Sequence, residues 1–206
     1  MIKQILFDLG GVFIKHTRPE CVRRFEALGI HDADALLDPY CQSGVFLALE
    51  SGEHTEESFT HAVNELYDLC LEPEQIRHAI NGFVEQVEDY KFDYIEQLPK
   101  SIGKLLISNT NPFIWGYAEE GKMLANGRTV SSYFDRCYTS FEMKRCKPDP
   151  VIFEEIIQSS EIDPRETLFI DDGPKNTATA RQLGFITYCP DNGEDWTVPL
   201  SKMLMR

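Results

Sequence analysis

The segment ILFDLGGVF, residues 5–13, decides how the chain is read. Ile5, Leu6 and Phe7 run without polar interruption into Asp8, and Gly10 and Gly11 follow. A short, wholly apolar run suits a strand covered on both faces better than a half-exposed one. Asp8 then stands at the carboxyl end of that strand, where the backbone must turn. A lone Asp in such a place is ordinarily a turn former. Its meaning therefore depends on what the other strand ends carry.

Moving outward, the same kind of run recurs. IKQILFDL (2–9), KLLISNT (104–110), RCYTS (136–140), TLFIDDG (167–173) and FITYC (185–189) are all short and rich in β-formers. Helix-compatible segments separate them. VIFEEIIQSS (151–160) begins just after Pro148 and Pro150, and NTATARQLGF (176–185) meets Gly184, a natural left-handed stop. Strands alternating with helices predict an α/β fold, a doubly wound parallel sheet covered on both faces. Between the first and second runs, residues 19–29, 32–41, 55–70 and 72–88 space their apolar positions as helices do, and no strand is evident there. Thr55 suits an N-cap, although Ser58 rather than Glu three residues on predicts an incomplete capping box. A small α-helical cap inserted after the first strand would sit above the carboxyl ends of the strands, where ligands bind in such sheets. The division expected is a core of residues 1–14 and 91–206 and a cap of residues 15–90.

Composition narrows the function. Of 206 residues, 20 are Lys or Arg and 34 are Asp or Glu, a formal net charge of −14. Such a surface repels phosphate backbones and anionic lipid, so neither nucleic acid nor membrane is expected as partner. A phosphate site on this chain has to be locally positive. The first apolar run begins almost at the N-terminus, no stretch has transmembrane length, and the six cysteines form no C-x-x-C pair. Together these predict a cytoplasmic protein whose cysteines are reduced packing residues.

Four strand ends or turns carry chemistry: Asp8, Ser108 in LLISN, Lys147 in KPDP, and the pair Asp171–Asp172 in LFIDD. Parallel strands would gather them on one edge. A carboxylate can attack phosphorus and form an acyl-phosphate, provided cations neutralise the phosphoryl charge. Asp8 and Asp172 suit a hard divalent ion, with Asp171 as ligand or orienting group. Lys147 suits the phosphoryl oxygens as a point charge, and Ser108 suits them as a donor. Two adjacent carboxylates ending a buried strand repel one another unless a cation or donors satisfy them.

These motifs in this order resemble the haloacid dehalogenase-like hydrolases. The likeness rests on Asp8 in ILFDLGGV, Ser108 in LLISNTN, Lys147 in KPDP and Asp171–Asp172 in LFIDDGPKN, and spans most of the chain. It implies a Rossmann-like core, Mg²⁺ as cofactor and a small phosphorylated metabolite as substrate. By that resemblance Asp8 is nucleophile and metal ligand, the Gly10 carbonyl is a further ligand, and Asp172 binds metal with Asp171 beside it. Ser108, Asn109 and Lys147 would bind phosphate, and Asn176 would be a local hydrogen-bonding group. The departure is Gly10, where most phosphatases of the family carry an Asp that serves as acid and base. Losing such help costs about 10²–10⁴-fold in rate, and esters with good leaving groups should suffer least. The D-L-G-x-V form also resembles a subgroup that includes sugar-1-phosphate phosphatases. His16 or Arg18 could act as substitute acid or substrate contact, and Phe46 and Glu50 are further candidates, with cap packing the plainer reading of Phe46. Two alternatives stand beside the phosphatase: a metal-independent haloacid dehalogenase, opposed by Asp171–Asp172 and by the absence of a Tyr at position 10, and a non-catalytic binding module.

Overall fold

The computed structural model describes residues 1–37 and 43–205. Its strands are β1 (Gln4–Phe7), β2 (Ile14–His16), β3 (Val84–Val87), β4 (Gly103–Ser108), β5 (Arg136–Thr139), β6 (Thr167–Ile170) and β7 (Ile186–Tyr188). Five of them form one parallel sheet in the order β5-β4-β1-β6-β7. The alternation along β1 explains why both faces are covered. Ile5 and Phe7 enter one apolar cluster with Leu106, Leu168 and Ile170, while Leu6 enters another with Leu105, Ile107 and Phe169. Helices supply the remainder of each layer. Residues of α6 (Asp89–Glu96), α7 (Pro112–Glu119) and α11 (Thr197–Leu204) join the first, and those of α9 (Pro150–Ser159) and α10 (Pro174–Gln182) join the second. The fold is α/β with a Rossmann-like, doubly wound sheet.

The order of strands matters for function. β1 is central, and the chain departs from it toward β4 and β5 on one side, then returns to β6 and β7 on the other. Such a reversal opens a crevice at the carboxyl ends of the strands. Asp8, Ser108 and Asp171 lie at the ends of three neighbouring strands, β1, β4 and β6.

The segment after β1 is helical: α1 (Pro19–Ala27), α2 (Ala33–Leu36), α3 (Gly44–Glu50), α4 (Glu56–Tyr67) and α5 (Pro73–Ile80). Phe25, Phe46, Phe59 and Ile76 bury themselves in a separate apolar cluster, which Phe113 of α7 also enters. Three expectations need correction here. The segment does contain strand: β2 and β3 pair antiparallel, with a register shift between Lys15 and His16. Their partners lie some seventy residues apart in sequence, and three- and four-residue strands show too little periodicity to be seen locally. The helix expected over 72–88 stops at Ile80, because a 3₁₀ turn (Asn81–Phe83) leads straight into β3. The capping box at Thr55 is complete, since the Thr55 N–H donates to Ser58 Oγ (2.9 Å) and the Ser58 N–H to Thr55 Oγ1 (3.3 Å). A short hydroxyl thus closes the box that Glu usually closes. Residues 38–41 of the expected 32–41 helix lie outside the described residues.

A second contact ties the helical segment to the sheet. After α3 the chain turns at Gly52 (φ +75°) against α8 (Ser140–Met143), and a Cβ on Gly52 would fall 1.9 Å from the Phe141 carbonyl oxygen. Only glycine permits this approach. The cysteines are less uniform than expected: Cys21 is buried, but Cys70 and Cys189 are exposed. Cys41 lies outside the described residues.

Candidate active site

The turn after β1 is built backbone first. The Asp8 N–H extends the sheet by donating to the Ile170 carbonyl (2.8 Å), and the Leu9 N–H donates to Asp8 Oδ1 (2.7 Å). Gly11 then takes φ +68°; its N–H donates to the Ile14 carbonyl and its own carbonyl accepts from the Gly193 N–H. A Cβ on Gly11 would lie 2.1 Å from the Asp172 carboxyl carbon, so glycine is required both for conformation and for space. Gly10 is different. A Cβ there would meet only His16 Cδ2, at an ordinary 3.7 Å. Packing does not exclude a side chain at position 10, and the space where one would begin faces the His16 ring.

Lys147 is the hub of the site. Its ammonium lies 2.9 Å from Asp8 Oδ1 and 2.6 Å from Asp171 Oδ2, and donates to the Ile107 carbonyl at 3.3 Å. The side chain is almost wholly buried. Burial by itself lowers a lysine pKa, but Asp171 and Asp8 beside it raise this one above the ordinary lysine range, so it is a fixed positive charge. Asn109 holds the residue from outside: its Oδ1 accepts from the Lys147 N–H (2.8 Å) and its Nδ2 donates to the Lys147 carbonyl (2.9 Å). Asp171 is saturated with donors, taking Lys147, the Gly173 N–H (2.8 Å) and Asn176 Nδ2 (2.9 and 3.2 Å).

Asp8, Asp171 and Asp172 bring carboxylate oxygens within 4.8 Å of one another, and all three are buried. Burial drives the Asp8 carboxyl well above the ordinary range; Lys147 opposes that, while Asp171 and Asp172 add to it. One ammonium against three buried carboxylates leaves a negative surplus of two. A divalent cation with hard oxygen ligands removes that surplus, so the donor set fits Mg²⁺. The close seat of Asp172 against Gly11 leaves no room for another side chain between that carboxylate and the turn carrying the Gly10 carbonyl.

The other residues singled out from the sequence fall in different places. Ser108 is buried at the end of β4 and lines a cavity beside Asp8, together with Asn109 and His16. His16 Nε2 sits 3.3 Å from Asp172 Oδ2. Arg18 turns elsewhere: it donates to the Leu37 carbonyl and pairs with Asp34 Oδ1 at 2.8 Å, and lines neither this cavity nor the smaller one around Asp8 and Lys147. Phe46 packs between Phe25 and Phe59 inside the helical cluster. Glu50, by contrast, lines the cavity. Sequence reasoning missed Asn192, whose side chain grips the His16 backbone through Oδ1 (3.1 Å) and Nδ2 (2.9 Å). Nothing local to Asn192 signals that contact, because its partner lies near the other end of the chain.

A family model described as haloacid dehalogenase-like hydrolase matches residues 2–184. The chain is 40% identical over 204 residues to the D-ribitol-5-phosphate phosphatase of Bacteroides thetaiotaomicron, covering 99% of each protein. The structure of a predicted HAD-like family hydrolase from Porphyromonas gingivalis superposes with a TM-score of 0.95 and 46% identity, over 100% of this chain and 99% of that one. A HAD family enzyme from Bacteroides thetaiotaomicron, solved as the wild-type protein with magnesium and inorganic phosphate, superposes with a TM-score of 0.87 and 34% identity over the full length of both chains.

Proposed function

The chain belongs to the haloacid dehalogenase-like hydrolases, and from that membership we propose a magnesium-dependent phosphatase that hydrolyses a small sugar-type phosphate monoester through an aspartyl-phosphate on Asp8. One observation carries the reading: the Asp8 carboxylate is held 2.9 Å from the buried Lys147 ammonium, within a carboxylate trio suited to a divalent cation.

Asp8, Asp172 and the Gly10 carbonyl would hold Mg²⁺, which supplies charge neutralisation for the phosphoryl group when bound. Asp171 is the orienting member of the pair, because its oxygens already take Lys147, the Gly173 N–H and Asn176. An Asp8 oxygen attacks phosphorus and the bond to the leaving oxygen breaks. Water then attacks the same phosphorus and releases Asp8 and inorganic phosphate. Lys147 faces the phosphoryl oxygens as charge builds on them, and Ser108 donates its hydroxyl to one of them. Asn109 serves the phosphate indirectly, since its amide is committed to the Lys147 backbone. His16, beside the gap at Gly10, is our candidate for the proton the leaving oxygen needs.

We read residues 15–90 as a cap over a core of 1–14 and 91–206, with the β2–β3 ribbon as its stem. The cytoplasm is the compartment we propose, from the scattered cysteines and the acidic charge. No helix among the described residues is long and apolar enough to cross a membrane. The net charge of −14 argues against nucleic acid as a partner.

The reading is tested by following phenyl phosphate and a primary alkyl phosphate with Mg²⁺ and with excess chelator. Turnover should require Mg²⁺, with a loss on chelation of about 10³-fold or more. Activity that persists in chelator would contradict it. The ratio of the two rates reports on the proton donor: a site without one favours phenyl phosphate, whereas His16 acting as donor brings the two rates together.

A further inference from the structure

We propose that Lys91 is a positioning residue for the metal site: its buried ammonium pins the turn that carries the Gly10 carbonyl, and so sets the affinity for Mg²⁺. The proposal rests on the phosphatase reading and deepens it. Lys91 stands in the first turn of α6 and is wholly buried. Its ammonium donates to the Val12 carbonyl (2.7 Å) and the Glu194 carbonyl (2.7 Å), and it pairs with the Glu88 carboxylate. Val12 lies two residues beyond Gly10, in a turn with little slack. The Leu9 carbonyl accepts from both the Phe13 N–H (2.9 Å) and the Ile14 N–H (3.1 Å), and the Gly11 N–H donates to the Ile14 carbonyl (2.7 Å). A shift of the Val12 carbonyl is therefore passed on to Gly10.

Groups from distant parts of the chain hold this turn from outside. The Trp196 Nε1–H also donates to the Val12 carbonyl (2.8 Å), and the Gly193 N–H donates to the Gly11 carbonyl (2.9 Å). Lys91 ties these supports together, because its second carbonyl partner, Glu194, lies between Gly193 and Trp196. The return strand is fastened at the same place: the Glu88 N–H, one residue past β3, donates to the Phe13 carbonyl (3.0 Å). Stability alone does not account for a lysine here, 5.7 Å from the centre of the buried Trp196 ring. Replacing a buried ion pair by apolar groups is often neutral or stabilising. What lysine adds is one donor group that reaches carbonyls of two separate segments. Mg²⁺ demands near-octahedral geometry at short distances, so a carbonyl ligand on a turn that shifts holds it more weakly.

The test titrates Mg²⁺ alone, by calorimetry, into metal-stripped wild type, Lys91→Met, Lys91→Met/Glu88→Gln and Ile156→Ala. Loss of a group that orients a metal ligand typically weakens metal binding by about 10- to 100-fold. Lys91→Met should raise the Mg²⁺ Kd by that factor, and its phenyl phosphate turnover, lost at low Mg²⁺, should return as Mg²⁺ is raised. Lys91→Met alone leaves the Glu88 carboxylate without its cation. The double variant removes both charges, so it should melt at a higher temperature than Lys91→Met yet bind Mg²⁺ no better. Ile156→Ala empties space in the other apolar layer, and should lower the melting temperature with the Mg²⁺ Kd unchanged. An unchanged Kd in the Lys91 variants, a double variant that recovers affinity together with stability, or an equal loss of affinity in Ile156→Ala would overturn the proposal. A wild type that binds no Mg²⁺, or binds it without turning over phenyl phosphate, would instead overturn the phosphatase reading beneath it.

Discussion

Asp8→Asn should abolish phosphatase activity, by about 10⁴-fold or more, while leaving the protein as stable as the wild type or more so. The two halves of this result have separate causes. Asn has nearly the same shape as Asp but no charge with which to attack phosphorus, so no acyl-phosphate forms. Stability moves the other way because the Asp8 carboxylate is buried and faces Asp171 and Asp172, a cost that Lys147 and the Leu9 N–H oppose only in part. A group whose folded-state pKa is raised destabilises the fold as pH climbs above the ordinary carboxylate range, since the folded state resists the ionisation that the unfolded chain undergoes freely. A neutral amide removes that term at pH 7. Thermal unfolding in chelator, set beside the activity assay, checks both halves. Loss of activity accompanied by a large fall in melting temperature would mean that Asp8 serves the fold rather than the chemistry.

Lys147→Met should fail in both respects. The ammonium is buried between Asp8 at 2.9 Å and Asp171 at 2.6 Å, and its removal leaves those carboxylates facing one another without their cation. Removing one partner of a buried pair costs about 3–5 kcal/mol of stability. Activity should fall by about 10²–10³-fold or more, as when a single preorganised donor to developing charge is lost. Lys147→Arg should not rescue it. The wider planar guanidinium cannot occupy a point position bounded by Asp8, Asp171 and the Ile107 carbonyl, with the Phe169 ring nearby. Denaturant melts and kcat/KM measured on the two variants check this. The contrast in stability between Asp8→Asn and Lys147→Met is the more telling comparison, because both variants are expected to be nearly inactive.

Much of this was legible in the sequence because it depends on local signals. Strands buried on both faces are uninterrupted apolar runs, and the functional groups stand where those runs stop; ILFD, LLIS and LFIDD each show both features. What could not be read depends on contacts between distant segments. The β2–β3 ribbon is too short to carry a period of its own, and each strand needs the other to exist. Gly10 drew attention through its departure from a family pattern, yet the steric demand for glycine falls on Gly11, and only the position of Asp172 creates it. Asn109 reads as a phosphate donor from its place beside Ser108, whereas its amide clamps the Lys147 backbone. Arg18 reads as a candidate acid or substrate contact, and Asp34 and the Leu37 carbonyl take up its guanidinium. Both Asn109 and Arg18 hold partners that are not their neighbours in the sequence, so local reading does not find them.

The most direct test of the central claim is to catch the phosphoryl group on the protein. Wild-type enzyme mixed with phosphate-labelled substrate and Mg²⁺ is quenched in acid within a single turnover, digested and examined by mass spectrometry. The account predicts a phosphate adduct on the peptide that contains Asp8, stable in acid, released by hydroxylamine, and absent in chelator and in Asp8→Asn. Turnover that proceeds with no label on the protein, or with label on any other residue, would contradict it.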